Sequence, residues 1–274
     1  MPRLIDVTPC LPEGTTVANG LSHQILAEIN LVRPGVLVNF SELDIAIGSL
    51  QFPFLQLKAK QSLARVINNR GRRMRINSAY RTCAQQFLLR RWKVNGHACV
   101  RAAAEPGNSN HESGLALDVE DYDGWRPYLE SQGWEWKGTG DAVHFDYRGG
   151  GIPIGNVGIK AFQNLWNRNF PNQPIGADGV YGGETAAKLG ISPSEGFNSG
   201  EVRRTLRLTS PLMRGGDVRR VQMKLKELGL IAKDDVDSIF GEITDAAVKR
   251  FQQNANLPAD GIVGQETYEK LGIE

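Results

Sequence analysis

The chain has 274 residues, enough for about two domains that each have a packed core. Its 32 basic and 30 acidic side chains leave a formal net charge of +2, so no overall positive field is available to hold nucleic acid. Hydrophobic residues at 41% and charged residues at 23% are typical of a globular protein. We therefore expect a folded protein without a nucleic-acid partner.

The amino terminus lacks the apolar core of a signal peptide, and no later apolar run reaches the length of a membrane helix. We expect no membrane segment, and the export route stays open. The three cysteines, Cys10, Cys83 and Cys99, form no CxxC pair. A bridge between Cys83 and Cys99 and a set of free buried thiols are both compatible with this spacing. The cysteines therefore do not identify the compartment.

Helices and strands alternate in the predicted elements. Helical spacing of apolar residues from about Leu57 predicts a helix that ends at Gly71, and a strand follows in residues 74–81. A second helix is predicted in residues 84–94, before a loop rich in small and turn residues. Alternating apolar and polar positions predict two further strands, with a short helix and a turn between them, in residues 115–121 and 141–147.

After a glycine-rich stretch that suits a linker, the sequence repeats itself. The segment ADGVYGGETAAKLGI at Ala177 returns as ADGIVGQETYEKLGI at Ala259, and a looser copy begins at Val236. IKAFQ at Ile159 likewise returns as VKRFQ at Val248. Each long copy places Asp, a turn, Gly and Thr at the same spacing, which predicts a helix whose Thr hydroxyl accepts an N-cap hydrogen bond. We interpret this region as repeated small helices and not as an active site.

Two histidines and one aspartate are the candidates for chemistry. His111 lies in the predicted loop, whereas Asp118 and His144 fall inside predicted strands. A buried carboxylate must be paired, hydrogen-bonded or bound to a metal, because burial of an isolated charge is costly. Two imidazoles and a carboxylate also form an open shell for Zn²⁺, with the fourth position left for water. Spacing alone favours the simpler interpretation, in which a histidine in a strand is a satisfied core residue.

Three separated motifs resemble the zinc D-alanyl-D-alanine carboxypeptidase family, which includes vancomycin-resistance D,D-peptidases and some phage endolysins. They are SAYRTCAQQ at residues 78–86, SNHESGLALD at 109–118 and GDAVHFDY at 140–147. The resemblance covers about residues 60–150. It implies an α+β catalytic domain of hedgehog and D,D-peptidase type, with a small antiparallel sheet flanked by helices.

The resemblance also implies the metal site. His111, Asp118 and His144 would be the ligands of one Zn²⁺ per chain, and Asp141 would be the general base. Asp141 and His144 are three positions apart, so in a continuous strand their side chains would leave on opposite faces. We therefore predict that the strand begins after Asp141 and that residues 138–141 form a loop.

Substrate-binding positions follow from the same motifs. Arg81 would bind a carboxylate of the substrate or polarise its carbonyl group. Ser109 and Gln85 are further substrate-binding candidates, although Gln85 fits a solvated helix surface equally well.

The carboxy-terminal part resembles a three-helix peptidoglycan-binding domain along nearly its whole length from Leu212. The stretch from Ile159 to Phe197 resembles a partial copy without the first helix. We therefore expect a peptidase domain at 1–150, a partial repeat and linker at 151–200, and an all-α peptidoglycan-binding domain at 201–274. On this division, the residues after about Ile152 would add wall affinity and leave the chemistry unchanged.

Both resemblances imply peptidoglycan as the partner and action at the cell wall or periplasm, by a chain that we expect to be monomeric. The function most directly implied is removal of terminal D-Ala by a D-alanyl-D-alanine carboxypeptidase. One alternative is a lytic endopeptidase, for example one specific for L-alanyl-D-glutamate bonds. Another is an inert, zinc-containing wall-binding protein, which the presence of Asp141 and Arg81 argues against. The sequence does not separate the first two activities.

Overall fold

The computed structural model describes residues 2–10, 14–48, 51–197, 205–210, 212–213, 215–232 and 235–273. The chain divides into two compact units, Met1–Phe197 and Asn198–Glu274. Within the described ranges, every helix is too short or too polar to cross a membrane.

The first unit combines helices with short strands. Its helices are α1 Asn19–Val32, α2 Leu57–Arg70, α3 Cys83–Val94, α4 Tyr122–Glu130, α5 Gly155–Asn169 and α6 Gly183–Ile191. Its strands are β1 Val38–Asn39, β2 Ile45–Ile47, β3 Phe54–Leu55, β4 Met74–Ser78, β5 Ala116–Val119, β6 Trp134–Trp136 and β7 His144–Tyr147.

The main sheet has five strands in the order β2-β4-β5-β7-β6, and β1 and β3 form a separate antiparallel pair. The expected small sheet with flanking helices is present. Its neighbouring strands are antiparallel except at one edge, where β2 runs parallel to β4. The sheet is thus mainly antiparallel, as expected, with one parallel pair that the sequence did not predict. Parallel neighbours need a crossover connection, and α2 lies in the segment that joins these two strands.

Local signals placed several elements correctly. Helix α2 ends where Gly71 adopts a left-handed φ of 63° and donates its N–H to the carbonyl oxygen of Ile67. Helix α3 begins within a capping box formed by Thr82 and Gln85. The turn predicted before residue 140 contains a strand that the sequence did not reveal, β6, which pairs with β7.

Two apolar clusters form the core of the first unit. One packs the sheet against α2 and α4, with Leu63, Trp125 and Phe145 among its buried side chains. The other includes Phe162 and Trp166 of α5, packed with buried residues of α1, α3 and α6. Helices α5 and α6 belong to the predicted partial repeat, so this segment supplies core to the first unit.

The predicted boundary at residue 150 does not coincide with the division between compact units. The glycine-rich stretch suggested a linker, yet Gln56 accepts a hydrogen bond from the N–H of Ile152 at 3.1 Å and donates one to the Ile152 carbonyl at 2.6 Å. Further along, Arg168 of α5 forms a 2.6 Å ion pair with the buried Glu28 of α1. These contacts attach residues 152–169 to the rest of the first unit.

The second unit is helical in its described residues, as expected. Its helices are α7 Gly216–Glu227, α8 Glu242–Asn254 and α9 Gln265–Lys270. They enclose a small apolar core that includes Val221, Phe240, Val248, Phe251 and Tyr268.

The repeated Asp-to-Thr stretches form the same hydrogen-bonded turn three times. In the last copy, the amide nitrogen of Gln252 donates to Asp260 at 2.9 Å, to the Ile262 carbonyl at 2.9 Å and to Thr267 at 3.2 Å. The Gln252 amide oxygen accepts from the N–H of Gly261 at 2.9 Å. Corresponding networks are centred on Gln222 and Gln163.

The predicted N-cap role of the repeated threonines is wrong. Glycines 182, 241 and 264 occupy the N-cap positions, and none makes a side-chain cap bond. Each threonine hydroxyl instead donates to a carbonyl of the preceding turn, as Thr185 does to Val180 at 3.3 Å. The threonine hydroxyl accepts instead from the buried amide group of the central glutamine. This hydrogen bond attaches the turn to the preceding helix.

The disulfide joins Cys10 to Cys99, with a Cα–Cα distance of 5.8 Å. The alternative bridge between Cys83 and Cys99 is therefore wrong. Cys83 starts α3 inside the core, where its thiol is free and donates to the carbonyl of Gly158 at 3.6 Å. A disulfide of this kind persists in oxidising compartments.

We expect a chain that ends at Phe197 to fold cooperatively and one that ends at Gly150 to fail. The shorter chain loses Phe162, Trp166 and Leu189, which are buried in the core, and each such side chain contributes about 1.5–3 kcal/mol. Together with the rest of α5 and α6, that loss is comparable with the 5–15 kcal/mol typical of a whole domain. Circular dichroism during thermal unfolding tests this. A sharp transition in the chain that ends at Gly150 would contradict it.

Candidate metal centre

The pairing of β5 with β7 brings two candidate ligands together. Asp118 and His144 are direct partners in the antiparallel register. Directly opposed residues project from the same face of a sheet, with Cβ atoms about 5 Å apart. On the other face, Leu117 and Phe145 are buried in the core. Side chains alternate between the two faces of a strand, so burial of Leu117 and Phe145 on one face places Asp118 and His144 together on the other.

The third candidate, His111, is presented by a turn. Its imidazole is buried, and its Nδ1 lies 2.6 Å from the carbonyl oxygen of Ala79. A carbonyl oxygen can only accept, so Nδ1 carries the hydrogen and Nε2 is directed to the other side of the ring. That Nε2 lies 3.3 Å from Asp118 Oδ1 and 3.2 Å from His144 Nδ1.

His144 is held between two carboxylates. Its Nδ1 lies 2.9 Å from Asp118 Oδ1, and its Nε2 lies 2.9 Å from Asp146 Oδ1. Asp146 is fully buried and shares a face with His144, because the two residues are two positions apart in β7. Lys137 and Arg148 in turn pair with Asp146 at 2.8 and 3.2 Å. Such outer partners fix the orientation of a metal-binding imidazole.

Burial and neighbouring charges shift the pKa values of the three candidate ligands in different directions. Burial lowers the pKa of His111. Burial alone would raise the pKa of Asp118, but the nearby His111, His144 and Arg81 hold it well below its usual range. Burial also acts to lower the pKa of His144, yet its hydrogen bonds to Asp118 and Asp146 outweigh this and raise that pKa to about 9. The carboxylate is therefore kept ionised between the two imidazoles.

The donor set fits a zinc ion. Among the described residues, one nitrogen of His111, one oxygen of Asp118 and one nitrogen of His144 lie within 4.8 Å of one another. Two nitrogens and one oxygen suit Zn²⁺ and leave a fourth position open. Both imidazoles also have their remaining nitrogen engaged, as metal-binding histidines usually do.

Arg81 lies beside this cluster. Its guanidinium is 3.9 Å from Asp118 Oδ2, and burial lowers its pKa. Arg81 also donates to the Gln86 side-chain oxygen at 3.1 Å and to Ser78 Oγ at 3.4 Å. Gln86 in turn donates to the carbonyl of Ala104 at 2.8 Å, so its amide orientation is fixed.

The glutamine beside Arg81 is Gln86, whereas the sequence pointed to its neighbour Gln85 as a substrate-binding candidate. Gln85 is buried, completes the capping box with Thr82 and donates to Asn19 at 3.1 Å. It is neither a solvated helix residue nor a partner of Arg81. The Thr-x-x-Gln spacing before the helix could have identified this capping role.

The structure places Asp141 in a 3₁₀ turn, Thr139–Asp141, and β7 begins at His144. The prediction that the strand starts after Asp141 is confirmed. Asp141 is exposed, and its charge acts on Arg81. The indole N–H of Trp136 donates to the carbonyl of Ala142 at 2.7 Å and ties down the end of this turn. Asp141 is outside the three-residue ligand cluster, so its role as base stays a prediction.

Ser109 lies at the start of the turn that carries His111. It is half-buried, and its backbone N–H donates to Glu112 at 3.1 Å. Its suggested contact with substrate stays a prediction.

Two family models match the chain in separate regions. Residues 55–138 match the model described as D-alanyl-D-alanine carboxypeptidase. This part of the first unit is therefore similar to the D-alanyl-D-alanine carboxypeptidase family. The match includes Arg81, His111 and Asp118 but ends before Asp141 and His144. The structure brings His144 to the cluster through β7, whereas Asp141 lies in the preceding turn. Residues 214–271 match a putative peptidoglycan binding domain, so the second unit is of this type.

Two curated relatives share part of the sequence. The N-acetylmuramoyl-L-alanine amidase CwlL of Bacillus licheniformis is 35% identical over 111 residues, which is 35% of this chain and 31% of the relative. A probable N-acetylmuramoyl-L-alanine amidase of the same organism is 37% identical over 108 residues, 35% of this chain and 30% of the relative. The chain thus spans about a third of the length of these relatives.

We expect the first unit to bind about one Zn²⁺ per chain. Replacement His111→Ala should lower the zinc content strongly, because it removes one of three ligands. Metal analysis after dialysis measures this, and His97→Ala is the control, since His97 lies outside the cluster. Full zinc content in His111→Ala would refute the ligand assignment.

Proposed function

We propose that the chain is a zinc-dependent hydrolase that cuts a peptide bond in the stem peptide of peptidoglycan. The observation that supports this most strongly is the convergence of His111, Asp118 and His144 at one site, beside the partly buried Arg81. These residues would hold the ion, with Asp146 and the Ala79 carbonyl fixing the two imidazoles. A zinc ion there would lower the pKa of a bound water molecule and polarise the scissile carbonyl.

In this proposal the protein supplies proton transfer and charge. Asp141 accepts the proton of the attacking water and passes it to the leaving amine. Its exposed position on a turn leaves the carboxylate accessible to a water or a substrate. Arg81 presents a planar guanidinium to the negative charge of the reacting group or of a terminal carboxylate. Gln86 and Ser78 hold that guanidinium in place.

The most direct form of the proposal is a D-alanyl-D-alanine carboxypeptidase, since a fixed guanidinium suits a substrate that ends in a carboxylate. The second candidate is hydrolysis nearer the glycan, as an amidase or L-alanyl-D-glutamate endopeptidase. The names of the two relatives favour this second candidate. An inert zinc protein would have no need of an arginine held beside the metal cluster.

The second unit would hold the enzyme on its substrate. Its match to a putative peptidoglycan binding domain supports attachment to the wall and action there. We propose that the chain acts as a monomer, with chemistry in the first unit and wall affinity in the second.

Product analysis tests the proposed function. The full chain is incubated with purified peptidoglycan fragments, and the products are identified by mass spectrometry. Release of D-Ala supports the carboxypeptidase, whereas internal cleavage of the peptide or its release from the glycan identifies the second candidate. A chain that ends at Phe197 should cut soluble fragments at a similar rate but act poorly on intact wall. No product from zinc-loaded protein would contradict the proposal.

Replacement Asp141→Asn should leave zinc bound and lower turnover by about 10² or more. The amide keeps the shape of the side chain but cannot accept the proton. Steady-state hydrolysis and zinc content are measured together, with Asp123→Asn as the control, because Asp123 is an exposed acid of α4 outside the ligand cluster. Normal turnover of zinc-loaded Asp141→Asn would show that another group takes the proton.

A further inference from the structure

His111 is the one candidate ligand that the sheet does not position, because it lies in the turn that precedes β5. The neighbouring Glu112 closes this turn on itself. Its buried carboxylate accepts the N–H of Gly107 at 2.8 and 2.9 Å and the N–H of Ser109 at 3.1 Å. The turn is therefore compact, but it needs an external surface to fix it relative to the sheet.

The first turn of α5 provides such a surface. Gly155 begins α5 and lies directly on the backbone of Gly107, so a Cβ at position 155 would overlap the Gly107 carbonyl. A Cβ on Gly107 would in turn lie 3.3 Å from the side chain of Ile159. The two glycines allow the helix and the turn to approach closely, and any larger residue at position 155 must push them apart.

Hydrogen bonds hold the turn from the other side of His111. The N–H of Ile154 donates to Ser113 Oγ at 3.1 Å. Gln56 donates to the Ser113 carbonyl at 2.7 Å and to the Ile152 carbonyl at 2.6 Å. The segment from Ile152 to Gly155 is thus attached to the turn at Gly107 and again at Ser113, with His111 between these two points.

Helix α5 is itself anchored in the first unit. Its aromatic side chains Phe162 and Trp166 are buried in the core, and Arg168 pairs with Glu28 of α1. Gln163 ties it to the following repeat turn through Asp178 at 3.0 Å. The helix can therefore act as a rigid support for the turn.

We propose that the segment Ile152–Gly155 and the first turn of α5 position His111 for metal binding. The stretch that resembles a truncated wall-binding repeat is then a support of the metal centre. Gly155 is a positioning residue, which acts on the metal through Gly107, Glu112 and His111. This inference rests on the proposed function only in taking His111 as a zinc ligand.

Metal affinity reports this role directly, because loss of outer support typically weakens metal binding by about 10–100-fold. The test variant is Gly155→Ala in the full chain. Gly158→Ala is the matched control in the same helix, since its Cβ would meet only ordinary contacts at 3.8 and 3.9 Å. Gly190→Ala is the second control, because its Cβ would lie 2.7 Å from Ile5 and disturb packing in the same unit away from the turn.

Zinc affinity is measured by competition with a chromophoric chelator, and the Co²⁺ absorption spectrum reports ligand geometry. We expect Gly155→Ala to bind zinc at least tenfold more weakly and to alter the Co²⁺ spectrum. Both controls should keep wild-type affinity, although Gly190→Ala should lower the unfolding temperature. Equal losses of affinity in Gly155→Ala and Gly190→Ala would overturn the proposal, because general destabilisation would explain both.

Ser113→Ala keeps the test decisive if Gly155→Ala does not fold. It removes the acceptor of the Ile154 N–H and adds no bulk, so we expect measurably weaker zinc binding in a folded protein. Wild-type affinity in whichever of these two variants folds would overturn the inference. Absence of zinc binding in the wild type would instead refute the proposed function, so the two failures are distinguishable.

Discussion

The register between β5 and β7 is the constraint on which the candidate metal centre depends. It sets Asp118 opposite His144 and, on the reverse face, places Leu117 and Phe145 in the core. A shift of one residue would send the polar pair into the core and the apolar pair into the site, so the hydrophobic effect and the chemistry select the same alignment. The energy that holds the ligands together therefore comes largely from packing on the far side of the sheet.

The other two candidate residues, His111 and Asp141, lie in turns, and contacts with neighbouring segments hold each turn in place. His111 depends on Ala79 for the direction of its ring and on Glu112 for the shape of its backbone. The turn that carries Asp141 is held by Trp136, whose ring also stacks under the guanidinium of Arg126 at 4.1 Å. Catalytic domains often combine a rigid sheet with turns of this kind, because turns can present side chains in directions that a strand cannot.

One small hydrogen-bonded turn serves two settings in this chain. In the second unit, the networks centred on Gln222 and Gln252 join successive helices of a compact three-helix body. In the first unit, the same network around Gln163 joins α5 to α6, and those helices complete the core of that unit. The same turn therefore joins helices in both units, and what those helices contribute depends on the surface against which they pack.

Local sequence signals were sufficient to predict several helices and strands and most of the candidate site. These signals act over a few residues or recur along the chain, as in the end of α2 at Gly71 and the alternation in β5 and β7. Four other features could be seen only in the folded chain: the partner of Cys10, the parallel placement of β2, the hydrogen bond from Arg81 to Gln86, and the packing of α5 against the turn of His111. These features join segments far apart in the chain. They depend on complementary surfaces that exist only once the helices and strands have packed.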